Sequence, residues 1–181
     1  LVHAAAGGVG LLLTQMLKLR GANVIATVST DEKATLAREA GADEVILYTQ
    51  QDFVGEVARI MNGQKLPVVY DSVGRDTFEG SIDCLGSRGY MVLYGQSSGR
   101  VPPVDPQLLN SKGSLFLTRP TMQNYTETRE ELESRTDEIY GWAGSGKLNV
   151  RIGLTLPLTQ AADAHRALEG RQTTGKVVLV P

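Results

Sequence analysis

Apolar and polar positions along this chain switch repeatedly between a short β-branched rhythm and a helical one. Residues 1–3 read as the end of a strand and lead into the small-residue stretch Ala4-Ala5-Ala6-Gly7-Gly8-Val9-Gly10. From there Val9, Leu12, Leu13, Met16 and Leu17 recur at helix-face spacing, predicting a helix over 9–19 stopped by Gly21. The run NVIATV (23–28) is a buried parallel strand by length and composition. Thr30 and Asp31 can cap a helix that runs to Ala40, and residues 44–47 form the next strand. Asp52 caps a helix through Met61 with Phe53, Val57 and Ile60 on one face, and Asn62-Gly63 ends it. Strands follow at 66–70, 89–94 and 114–118, with a helix over 75–85 and a single turn at 106–109. Strands alternating with helices at this spacing predict an α/β fold with a six-stranded, doubly wound parallel sheet of the Rossmann kind.

The pattern then changes. Residues 126–143 predict a long charged helix whose apolar part is Ile139, Tyr140 and Trp142. A strand (150–156), a helix (158–168) and a strand (176–180) close the chain. A six-stranded unit does not need this strand-helix-strand. The expected division is a dinucleotide-binding domain over 1–149, its first strand cut short, and a second-domain segment over 150–181. The chain also has no initiator Met and begins inside what reads as a buried strand, so a piece of a longer enzyme is expected.

Composition narrows the classes. The 181 residues carry a net charge of −2, which gives no basic field for nucleic acid or an anionic membrane. No apolar stretch approaches the ~20 residues needed to span a bilayer. Cys84 is the single cysteine, so the sequence excludes an internal disulfide and a cysteine-rich zinc cluster, and a cytoplasmic setting fits.

The chemistry concentrates at the ends of the predicted strands. A glycine turn between a strand and a helix is the context in which a dinucleotide fingerprint has meaning. Gly7 would let backbone approach a pyrophosphate, and Gly10 would let the helix lie tight on its strand. Ala5 stands where the first glycine of the pattern belongs, and such turns also serve packing alone. The second strand ends in Val28-Ser29-Thr30, without the carboxylate that an NAD site uses on the ribose hydroxyl. Lys33 lies one helical turn on, where a cation suits a 2′-phosphate or simply meets solvent. Asp31 reads as a helix cap and Glu32 as a charge at a helix N-terminus. Asp71 and Ser72 end a strand, a place for ligand contact or for a cap. Tyr94 suits adenine stacking or the core. His3 reads as a packed strand residue, His165 as a helix-surface residue and Cys84 as core, and the run 127–138 as a solvated helix face.

The order AAAGGVG, ST-x-x-K, Tyr-Asp-Ser-Val-Gly (70–74), Gly-Gln-Ser-Ser-Gly (95–99), Leu-Thr-Arg-Pro (117–120) and Thr-Gly-Lys-Val-Val-Leu (174–179) resembles quinone oxidoreductase. This is the zinc-free, zeta-crystallin-like branch of the medium-chain dehydrogenase/reductase superfamily. The resemblance implies a GroES-like catalytic domain outside these residues, to which 150–181 returns and which holds the catalytic groups. It implies NADPH/NADP+ as cofactor, no metal, and a quinone or related conjugated carbonyl as substrate. It assigns Gly8 and Val9, beside Gly7, to the pyrophosphate turn and Ser29 and Lys33 to the 2′-phosphate, with Tyr48 beside them. Ser72 and Val73 fall at the adenosine edge, Gly95, Gln96, Ser97 and Ser98 in the loop after Tyr94, and Leu117 and Arg119 near the nicotinamide. It also implies a homodimer through strand 114–118. An enoyl reductase or zinc alcohol dehydrogenase of the same superfamily is the alternative within enzymes. A crystallin-like structural protein or an RNA-binding nucleotide-fold protein is the alternative outside them.

Overall fold

The computed structural model describes residues 1–170 and 172–181. Its main sheet contains β1 (Ile25–Val28), β2 (Glu44–Leu47), β3 (Leu66–Asp71), β4 (Leu85–Leu93) and β5 (Phe116–Thr118), all paired in parallel. Residues 1–3 join the two halves of that sheet. Val2 bridges to Ala26 on one side and Tyr70 on the other. The Val2 amide donates to the Ile25 carbonyl at 2.9 Å and the His3 amide to the Tyr70 carbonyl at 3.0 Å. The spatial order is therefore β2, β1, the segment 1–3, β3, β4, β5. Counted along the chain this is strand order 3-2-1-4-5-6, the dinucleotide-binding arrangement, and the order reverses between 1–3 and β3.

Both faces of the sheet are covered, which explains why its strands read as continuous apolar runs. Leu1 and Ile25 pack with Val57 of α3 (Phe53–Ile60) and with Phe78 and Ile82 of α4 (Phe78–Cys84). The next residues along, Val2 and Ala26, point the other way. They pack with Leu11 of α1 (Gly10–Leu19) and Ala34 and Ala37 of α2 (Asp31–Glu39). Thr30 caps α2 by accepting the Lys33 amide, and Asp52 caps α3 by accepting from the Val54 and Gly55 amides. Thr30 thus does the work expected of Asp31, which is the first helical residue. Cys84 is buried as expected, and burial pushes its thiol up to about 11, well away from reactive thiolate chemistry.

Thr14, on the buried side of α1, is fully covered, and its hydroxyl has no partner among the described residues. Thr14→Val keeps the shape and removes the orphaned group, so it should stabilise the fold by about 1–2 kcal/mol. A urea midpoint that rises would agree, and one that falls would show that the hydroxyl is satisfied.

Several elements differ from expectation. β4 starts at Leu85, not Gly89, and the helix before it is shorter than 75–85. Leu85 pairs with Leu66, and a register shift follows across the exposed Ser87-Arg88. α6 (Arg129–Gly144) starts three residues late because Thr128 and Glu131 form a reciprocal capping box. α6 buries no residue, and it is tied down where Arg20 meets Glu138 at 2.7 Å and stacks over Trp142. α5 (Pro106–Ser111) fills the place of the expected single turn.

β6 (Ile152–Pro157), α7 (Ala161–Glu169) and β7 (Lys176–Val180) form a strand-helix-strand unit whose two strands pair in parallel. Its apolar runs pair with each other, and it meets residues 1–149 through backbone at Gly175. Gly175 bridges to Gly7 inside the glycine turn. Just before the unit, the Asn149 amide donates to the Gln15 side chain at 2.7 Å. Several of its apolar side chains still face outward: Ile152 is 52% exposed and Leu158 58%.

Candidate functional site

The carboxyl ends of the segment 1–3, β1 and β3 open onto one cavity of about 640 Å³ at the point where the strand order reverses. The residues around it come from several chain segments and the tail.

The first wall is the glycine turn, which supplies Gly7, Gly8 and Val9. Ala4 enters it in the left-handed region at φ 50°. The N-cap of α1, Val9, makes no side-chain cap bond, and the first turn of the helix carries no acidic residue. The positive end of the helix therefore faces the cavity with no acidic residue in its own first turn. A Cβ on Gly10 would sit 2.4 Å from the Ala4 carbonyl oxygen and 2.7 Å from Ala5 Cα, so close packing of helix on strand requires glycine there. A Cβ on Gly8 would meet the Gly175 carbonyl at 2.9 Å. The tail itself makes that position small.

The second wall is the end of β1. Ser29, Lys33 and Tyr48 all line the cavity, and no carboxylate lies at positions 28–30. Lys33 Nζ donates to Ser29 Oγ at 3.3 Å. Thr49 Oγ1 donates to the Ser29 carbonyl at 2.9 Å, and the Tyr48 amide donates to the Val28 carbonyl, fixing the rim from below. Asp31 and Glu32 point to solvent.

The third wall is the turn after β3, with Ser72 and Val73 on the cavity. Asp71 builds this turn from inside. Its Oδ1 accepts from the Val73 and Gly74 amides at 2.8 and 3.0 Å. Its Oδ2 accepts from Thr77 Oγ1 at 2.7 Å and Ser81 Oγ at 2.9 Å. Of the two readings of Asp71, the cap is the one realised. Tyr94 and Ser97 also reach the cavity. Burial pushes the Tyr94 phenol up, partly offset by its hydrogen bond with Ser72. Gly95, Gln96 and Ser98 do not line the cavity. Ser98 stands behind the wall, where its amide and hydroxyl both donate to the Val73 carbonyl at 2.8 Å. Leu117 packs at the margin of the core and Arg119 is exposed, and neither lines the cavity.

Sequence reasoning missed His3, Thr27, Phe53, Asp76 and Thr77 as cavity residues, and Leu168, Thr173 and Gly175 from the tail. The tail residues had no local signal, because they arrive only when β7 runs back past the glycine turn. His3 is 1% exposed, as expected of a packed strand residue, while His165 lies exposed on α7. Burial pushes the His3 imidazole down to about 4 against the opposing pull of Asp71.

The sheet order and the glycine turn at its reversal point define an α/β domain of the Rossmann class. The chain belongs to the zinc-binding dehydrogenase family, whose model matches residues 40–179. It is 49% identical to quinone oxidoreductase 1 of Escherichia coli and 46% identical to a quinone oxidoreductase of Pseudomonas aeruginosa, over its whole length and 56% of theirs. The structure of the E. coli quinone oxidoreductase complexed with NADPH superposes with a TM-score of 0.96 at 48% identity, covering 99% of this chain and 56% of that one. A 2-haloacrylate reductase of a Burkholderia species is 42% identical over the whole of this chain and 55% of its own. The chain thus spans about half the length of the relatives it matches.

The family's name carries a metal. Among the described residues no three His, Cys, Asp or Glu side chains converge as a ligand set, so the residues present do not fit zinc.

Proposed function

We propose that this chain binds NADPH and is the cofactor-binding part of an oxidoreductase that reduces quinones or related conjugated carbonyls. The observation that carries the reading is the rim of the cavity. The glycine turn and an uncapped helix start face one end of it. At the other, β1 ends without a carboxylate beside Lys33 and Ser29. The NADPH complex of the E. coli relative supports the same cofactor. When bound, NADPH supplies the hydride, and the protein's part is to hold and orient it. Gly7, Gly8 and Val9 would present backbone to the pyrophosphate, and Ser29 and Lys33 would hold the 2′-phosphate with Tyr48 alongside. Ser72 and Val73 would bound the adenosine, with Tyr94 and the loop 95–98 beyond them, and Leu117 and Arg119 would lie toward the nicotinamide. The likeness to 2-haloacrylate reductase supports including other activated conjugated acceptors.

The proposal includes a division after residue 149, with 150–181 belonging to a second domain that brings the substrate-side groups. The relatives' greater length supports this. It also includes a cytoplasmic homodimer through the β5 edge, where the exposed rings of Phe116 and Tyr90 stack at 4.6 Å. No helix among the described residues is long and apolar enough to cross a membrane.

The test is Lys33→Ala. A charge-assisted bond to phosphate is worth about 1.5–3 kcal/mol, roughly ten- to a hundred-fold in affinity. Fluorescence titration should show that loss for NADPH and little change for NADH. Equal losses for both cofactors would remove the 2′-phosphate assignment.

A further inference from the structure

From His3 and Thr27 on the cavity lining, a chain of polar side chains, which the cofactor reading does not use, runs inward to Ser81 and Asp71. Thr27, His3, Ser81 and Asp71 are each at most 1% exposed. His3 Nδ1 lies 2.9 Å from Thr27 Oγ1, and Nε2 lies 3.0 Å from Ser81 Oγ. The protons can be counted along it. Ser81 gives its one hydroxyl proton to the Asp71 carboxylate, so it can only accept from His3. Nε2 therefore carries the imidazole proton, and Nδ1 is the lone pair that receives the Thr27 hydroxyl. Phe53 from α3 closes the site edge-on to the imidazole at 4.9 Å.

Each end of this chain stops beside a wall of the cavity. Thr27 is two residues before Ser29. Asp71 is next to Ser72 and holds the amides of Val73 and Gly74. An apolar side chain of similar volume could fill the space of His3 without fixing a direction. Buried polar networks of this kind are a weak source of stability, but they do fix geometry. Resting on the NADPH reading above, we propose that His3 is a positioning residue. Its neutral imidazole ties the end of β1 to α4 and the β3–α4 turn, and so sets the spacing between the walls that receive the two halves of the adenosine-phosphate group.

The experiment measures NADPH and NADH affinities by fluorescence titration, and stability by urea unfolding, for the unmutated chain and for Ser81→Ala, Thr27→Val and His3→Leu. In folded Ser81→Ala and Thr27→Val the affinity should fall about three- to ten-fold, by the same factor for both cofactors. Adding His3→Leu to either should cost less than the sum of the separate losses, because the residues act through one network. The equal loss separates this role from that of Lys33. A purely structural role would shift the urea midpoint and leave both affinities unchanged, and that result in the two hydroxyl variants would overturn the proposal. An unmutated chain that binds neither cofactor would overturn the cofactor reading, and this inference with it.

Discussion

Gly10→Ala should cost the fold about 3–5 kcal/mol, a large share of the 5–15 kcal/mol typical of a domain. The new Cβ would lie 2.4 Å from Ala4 O, 2.7 Å from Ala5 Cα and 2.8 Å from the Ala5 carbonyl carbon. All three are backbone atoms of the glycine turn, so no side chain can swing aside. Either the turn moves or α1 lifts from the sheet, and overpacking of this kind outweighs the roughly 1 kcal/mol that alanine gains over glycine in a helix. The neighbouring glycines calibrate the result. At Gly8 the added Cβ meets the Gly175 carbonyl at 2.9 Å, and at Gly7 only the Ala4 carbonyl at 3.2 Å. The urea midpoint should therefore fall most for Gly10→Ala, less for Gly8→Ala and least for Gly7→Ala. Native stability in Gly10→Ala would mean that the close helix–strand contact is not required.

The second large effect is a loss of stability in mild acid. The buried His3 imidazole is pushed down to about 4, whereas an unfolded histidine titrates near 6.5. Above about pH 6.5 both states are neutral at this residue and its contribution is fully present. Between about 6.5 and 4 the unfolded chain takes up a proton that the native chain excludes, so stability falls with pH by as much as about 3 kcal/mol. His165 is kept in His3→Leu. That variant should be less stable at neutral pH and should lack the step between 6.5 and 4. Urea unfolding of the two chains from pH 8 to 4 measures the difference, and parallel curves would contradict the assignment to His3.

What the sequence made legible is what local chemistry encodes. β2 and β7 run over the expected residues, their apolar runs preceded by Asp43 and Gly175 and closed by Tyr48 and Pro181. α2 and α3 begin where Thr30 and Asp52 supply an oxygen to the first turn. Ser29, Lys33 and Ser72 could be picked out as cavity residues because they sit at or just past strand ends, whereas Val73 came only from the resemblance. Long-range facts were not legible. The early start of β4 depends on Leu66, and the small size required at Gly8 depends on Gly175. The burial of His3 could be read from its neighbours, but its bonds to Thr27 and Ser81 could not, since 24 and 78 residues separate the partners.

The claim at the centre is that the cleft between the glycine turn and Lys33 selects a 2′-phosphorylated dinucleotide. The most direct measurement is a pair of fluorescence titrations of the unmutated chain, one with NADPH and one with NADH, in the same buffer. NADPH should bind at least about ten-fold more tightly, the difference that one charge-assisted phosphate contact provides. Equal affinities, or a preference for NADH, would contradict the account.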